Sequence, residues 1–106
     1  NDAWYIKTTI DVPVQTLSDI LAEHVPMGQR IDFFTIDVEG LDLDVIQSND
    51  WEKYRPLVVL VETLGLSYEE LALDPVTAYM HSLGYVVYSK TVNTSFFVDE
   101  TILQQV

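Results

Sequence analysis

One stretch constrains the fold more than any other: Ile31-Asp32-Phe33-Phe34-Thr35-Ile36-Asp37-Val38-Glu39-Gly40. Its first half is a short, nearly continuous apolar run, which predicts a strand buried on both faces. The run stops at two carboxylates and a glycine, and a helix-like segment follows. That order belongs to open α/β sheets, where ligands bind beyond the carboxyl ends of the strands. Asp37, Glu39 and Gly40 are thereby expected on the functional rim.

The next segment fixes the direction of the sheet. Residues 41–50 carry Leu41, Val45 and Ile46 on one helical face, with Asp42, Asp44 and Gln47 largely outside, and Ser48-Asn49-Asp50 reads as the exit. Pro56 then introduces a second apolar run, Leu57-Val58-Val59-Leu60-Val61, which ends on Glu62. Two strands joined by one helix-length crossover form a right-handed βαβ unit and run parallel. Asp37 and Glu62 should therefore emerge on the same rim.

The flanks add a strand, two helices and a hairpin. In residues 5–15, Ile6, Thr8, Ile10, Val12 and Val14 alternate with Lys7, Thr9, Asp11 and Pro13. Period two predicts a half-exposed strand, with Pro13 placing its far end at an edge. Thr16 or Ser18 caps a helix whose apolar face is Leu17, Ile20, Leu21 and Val25, and Pro26-Met27-Gly28 ends it. Residues 63–74 read as a loop with an acidic turn at 67–71. Asp74-Pro75 starts a helix with a Val76, Tyr79, Met80 and Leu83 stripe, closed by Gly84. The strands Tyr85-Val86-Val87-Tyr88 and Ser95-Phe96-Phe97-Val98 lie too close in sequence for a parallel crossover, so they form an antiparallel hairpin. The predicted fold class is α/β: a mixed sheet with a parallel βαβ core, a C-terminal antiparallel hairpin and helices on the faces.

Charge and composition narrow the partners. A chain of 106 residues makes one domain at most, 1–106, or a piece of one, and can bury a core without disulfides. With 17 acidic against 5 basic residues the formal charge is −12, which argues against nucleic acid and against an anionic membrane surface. The absence of cysteine removes thiol catalysis and thiolate metal sites. No apolar run approaches the roughly 20 residues needed to span a bilayer, and Asn1-Asp2-Ala3-Trp4 does not open a signal peptide. A soluble, intracellular, cytoplasmic domain is expected. Starting at Asn1 rather than Met, it reads as a processed or trimmed product.

Several blocks in order carry a resemblance. Val14-Gln15-Thr16-Leu17-Ser18-Asp19-Ile20-Leu21 is followed by the 31–40 stretch, by Arg55-Pro56-Leu57-Val58-Val59-Leu60-Val61-Glu62, by Leu83-Gly84-Tyr85 and by Asn93-Thr94-Ser95-Phe96-Phe97-Val98. Together they resemble the FkbM family of methyltransferases, whose pattern places Lys where Thr35 stands. The resemblance implies a Rossmann-like, S-adenosylmethionine-dependent enzyme that methylates a hydroxyl on a small molecule or glycan. It covers the C-terminal half of the family's catalytic domain. The four glycines, at 28, 40, 65 and 84, form no G-x-G, so the glycine-rich cofactor loop is absent and the fragment alone is expected to be incomplete or inactive.

By that resemblance Asp37 lies near the methyl-transfer centre, as a catalytic and cofactor-binding residue beside Gly40. Glu39 is a second catalytic candidate and Glu62 a substrate-binding one. A carboxylate there can contact the cofactor, orient the acceptor or accept its proton. The structural alternative is that Asp37 and Glu39 only cap the segment 41–50. No metal site is expected: Asp42 and Asp44, two apart on a helix, point about 200° from each other. His24 and His81 lack the i, i+4 partner of a zinc site, and Trp4, Trp51, Tyr54, Tyr68 and Tyr85 read as packing residues. The rival functions are a non-catalytic dimerisation or scaffold module, self-associating through an exposed sheet edge, and a small cation binder using the acidic rim.

Overall fold

The computed structural model describes residues 6–103. Four strands form one sheet: β1 (Phe33–Ile36), β2 (Val58–Glu62), β3 (Tyr85–Lys90) and β4 (Thr94–Asp99), in the order β1-β2-β4-β3. β1 and β2 run parallel, joined through helix α2 (Asp42–Gln47), as two apolar runs around one crossover require. β4 pairs antiparallel with both β2 and β3, so the hairpin returns its second strand to the middle of the sheet. A register shift between Val87 and Ser89 leaves Tyr88 as a bulge in β3.

The core lies on one face. Val59 and Val61 of β2, Phe97 of β4 and Tyr85 of β3 pack with Ile46 of α2 and Met80 of helix α4 (Pro75–Ser82). Trp51 closes this cluster, edge-on to Tyr85 at 5.6 Å, with its indole N–H donated to the Ile46 carbonyl at 2.8 Å. α4 begins as its sequence dictates: the Asp74 carboxylate accepts from the Thr77 amide and Pro75 follows. The acidic turn at 67–71 is a short helix, α3 (Tyr68–Leu71), held by a reciprocal capping box between Ser67 and Glu70. A last turn, α5 (Glu100–Leu103), follows β4 directly.

Two expectations are corrected. Residues 6–15 form no strand: Ile6, Ile10, Val12 and Val14 are all exposed, and no sheet neighbour pairs with the segment among the described residues. Alternation earns burial only when a second surface meets its apolar face. Tyr5, the first residue of that segment, and Trp4 lie outside the described residues. Nor is β1 buried on both faces. Ile36 and Phe34 turn toward the helices, whereas Phe33 is 62% exposed on the opposite face. β1 occupies the sheet's edge, and α2 covers only its core side.

Helix α1 (Leu17–His24) is capped by Thr16, whose hydroxyl accepts from the Asp19 amide at 3.0 Å. Of its anticipated apolar face only Leu21 is buried. Ser48, at the end of α2, fixes the start of α1 by accepting from the amides of Leu17 and Ser18. Among the described residues no helix is long and apolar enough to cross a membrane.

Candidate functional site

The rim is built by parallel register. Ile36 lies opposite Val61, so the next residues, Asp37 and Glu62, leave their strands side by side. The chain then reverses sharply: Glu39 takes a φ of 50° and Gly40 a φ of 92°. The left-handed region suits glycine and is uncommon for any other residue, so Gly40 is what its conformation demands and Glu39 is held there. The Leu41 amide closes the turn on the Val38 carbonyl at 3.2 Å.

α2 has Leu41 at its N-cap and no side-chain cap bond. Neither Asp37 nor Glu39 therefore makes a capping hydrogen bond to α2. Asp42 contributes locally instead, its Oδ1 accepting from the Val38 amide at 3.3 Å. Carboxylate oxygens of Asp37, Glu39 and Glu62 lie within 4.8 Å of one another, close enough to share a proton or a cation. Glu62 is pushed up to about 7, first by its hydrogen bond with Asp37, then by desolvation and by the charges of Asp37, Glu39 and Asp42.

Two hollows meet at Glu62. The larger, about 460 Å³, is bordered by Glu39, Gly40, Asp42 and Glu62, by Asp74 at the start of α4, and by the apolar side chains Leu43, Leu66 and Val76. The smaller, about 230 Å³, is bordered by Thr35, Asp37, Glu62 and Asn93. Behind Glu62 the chain is fastened to the hairpin. Thr63 and Ser95 share a buried hydroxyl hydrogen bond of 2.7 Å, and the Thr63 amide donates to the Asn93 carbonyl at 2.8 Å.

All four rim residues read from the sequence, Asp37, Glu39, Gly40 and Glu62, thus come together. Asp42 and Asp44 diverge on α2, and only Asp42 reaches the rim. His24 and His81 are exposed and border neither hollow. Three contributors were missed: Asp42 as a hydrogen-bond partner of the turn, Asp74 as a wall of the larger hollow, and the Thr63–Ser95 pair. Asp74 was legible as a helix cap, but its position against the rim depends on how α4 packs.

Comparison with known proteins adds independent information. A family model described as "Methyltransferase FkbM domain" matches residues 4–87. The chain is similar to methyltransferase sdnD of Sordaria araneosa, 41% identical over 59 residues that cover 47% of this chain and 23% of that protein. The matched part is thus less than a quarter of the relative's length. No solved structure matches the chain.

Proposed function

This chain belongs to the FkbM methyltransferase family, and from that premise we propose that it supplies the acceptor side of an S-adenosylmethionine-dependent O-methyltransferase site. One observation carries the reading. Three carboxylates from the ends of two parallel strands converge on the edge of a hollow without serving as helix caps. Ligands of open α/β sheets bind at that end of the strands.

The cofactor fits part of this rim. S-adenosylmethionine, when bound, supplies a methyl group on a positively charged sulfonium, and Asp37 with the exposed backbone at Gly40 offers that charge an anionic neighbour. No glycine-rich loop stands among the 106 residues to take the adenosine end. The chain is accordingly proposed to act within a longer protein and to be inactive alone.

The chain's own residues then have distinct tasks. Glu62 and Glu39 hold the acceptor, a hydroxyl on a small molecule or glycan. The Asp37–Glu62 pair takes the hydroxyl proton as the oxygen is alkylated, a role suited to a carboxyl that titrates near neutral pH. Most of the rate comes from alignment, so no single carboxylate is indispensable.

Calorimetric titration with S-adenosylhomocysteine tests this reading. The 106-residue chain should give no heat, whereas the longer natural protein should bind in the micromolar range and lose binding with Asp37→Ala. Full retention in that variant would remove Asp37 from the cofactor site.

A second reading, a scaffold module that pairs with another copy of itself, is favoured by the open edge of β1 and by the exposed Phe33. Sedimentation of wild type and Phe33→Lys decides it. Self-association abolished by the lysine supports the scaffold, and a monomer in both cases ends it.

A further inference from the structure

We propose that the buried Thr63–Ser95 hydroxyl pair is the positioning device of the rim: it ties the end of β2 to the body of β4 and so holds the Glu62 carboxyl beside Asp37. This deepens the acceptor-site reading above, on which it rests, by naming what keeps two of its carboxyl groups together.

β1 does not hold Glu62 in place. Its last pair with β2 is Ile36 with Val61, so Glu62 lies one residue beyond the parallel ladder and is held from the β4 side alone, opposite Thr94. Its surroundings press it outward. Asp37 at the end of β1, Glu39 in the reversal and Asp42 on α2 all act on Glu62 as like charges, and Asp74 at the cap of α4 borders the same hollow. The hairpin offers no charge to offset them: its tip is Thr91-Val92-Asn93-Thr94, and Lys90 donates to the Thr91 carbonyl and lies 5.7 Å from the centre of the Tyr68 ring. Neither Lys nor Arg borders either hollow. A strand end set among these acids drifts from them unless its backbone is fastened.

Three bonds fasten the chain just beyond Glu62. The Thr63 amide donates to the Asn93 carbonyl at 2.8 Å, and the Gly65 amide to the Val92 carbonyl at 3.2 Å. Val92 and Asn93 belong to the exposed tip, so these two bonds join one loop to another. The third reaches the sheet itself. Thr63 Oγ1 and Ser95 Oγ share a hydrogen bond of 2.7 Å, both residues are buried, and Ser95 stands inside the ladder opposite Val61. Exchanging two such hydroxyls for apolar groups of similar shape costs a fold little. What the pair adds is a fixed length and direction at the point where the parallel ladder has ended.

Titration of the Glu62 carboxyl carbon, followed by NMR in the isotopically labelled chain, tests this. The wild-type midpoint should lie near 7, against an ordinary 4.5. Thr63→Val/Ser95→Ala removes both hydroxyls and leaves no buried donor unpaired. It should lower the Glu62 midpoint by about one pH unit or more, with the urea unfolding midpoint unchanged. Thr63→Ser keeps the hydroxyl and should keep the wild-type titration. A purely structural pair would instead move the urea midpoint and leave the Glu62 titration where it was. Ser95→Ala, the loss of a single oxygen, gives the same comparison should the double variant not fold. An unchanged Glu62 midpoint in the folded variant, a midpoint that falls equally in Thr63→Ser, or a wild-type midpoint of 4.5 would each overturn the proposal. Neither cofactor nor acceptor enters the test, so its failure is distinct from that of the methyl-transfer reading. A lowered midpoint beside a longer protein that never binds S-adenosylhomocysteine would retire the reaction and keep the positioning pair.

Discussion

Asp37, the first residue after β1, and Glu62, the last of β2, bring their carboxyl groups within 4.8 Å of one another at the ends of two neighbouring parallel strands. Two carboxyl groups this close carry one proton between them at lower cost than two negative charges. Glu62 therefore keeps its proton up to about pH 7, above its ordinary value of 4.5.

A pH dependence of stability follows. The folded chain binds the Glu62 proton more tightly than the unfolded chain, so between pH 4.5 and about 7 the native state holds more protons. Stability contributed by protonated Glu62 is complete below that window, declines as pH rises through it and is lost above it. Glu62→Gln cannot ionise and should not show this decline. In urea titrations across the window, the wild-type midpoint should fall relative to that of the variant. Parallel curves would mean that the acid pair is not formed in solution.

Much of this site was legible in the sequence because it depends on local order. An apolar run ending in Asp37, a helix-length crossover and a second run ending in Glu62 are enough to bring the two acids to one rim. The hairpin was legible for the same reason, since its connection is too short for any other geometry. What was hidden depends on tertiary placement. The Thr63–Ser95 bond exists only because β4 returns beside β2, with Val61 opposite Ser95. The alternation at 6–15 was misleading because a strand needs a neighbour, and periodicity says nothing about whether one is present. The family's Lys position is held by Thr35, which is exposed beside the smaller hollow. That residue difference was plain in the sequence, but its position was not.

Stability also depends on one arginine far from the rim. The Arg55 guanidinium donates to Asp99 at 2.7 Å and to the Leu83 carbonyl at 2.7 Å, and lies 4.6 Å from the centre of the Tyr85 ring. Burial pushes the Asp99 carboxyl up, but Arg55 and the amide and hydroxyl of Thr101 together hold it below its ordinary value. Arg55→Met strands a buried carboxylate and should cost about 3 kcal/mol. Arg55→Lys keeps the charge and loses the fork, so it should recover only part. Denaturant midpoints give both numbers, and a cost below about 0.5 kcal/mol for Arg55→Met would place this group among ordinary surface pairs.

Gly84 tests the same contact from the other side. It ends α4 with a φ of 88°, and a Cβ there would meet the Arg55 guanidinium nitrogen at 3.1 Å. Gly84→Ala adds left-handed strain and pushes on Arg55, for a cost of about 1–2 kcal/mol. Combined with Arg55→Met the two costs should sum to less than their separate values, because the alanine then has nothing to displace. Strict additivity would show that only backbone strain is at work.

Glu39 offers the clearest separation of rim chemistry from folding. Its φ of 50° is a conformation that glycine adopts freely, and no cap or ion pair among the described residues repays the strain. Glu39→Gly should therefore raise stability by roughly 0.5–1 kcal/mol, the relieved strain less the greater freedom of glycine in the unfolded chain. Glu39→Ala removes the same carboxylate and keeps the strain, so it should gain only the small relief of like-charge repulsion at the rim that both variants share. If Glu39 serves the acceptor, both variants lose methyl transfer equally, although the glycine variant is the more stable. Loss confined to the glycine variant would instead trace the effect to the conformation of the turn, and Glu39 would leave the list of ligand-facing residues.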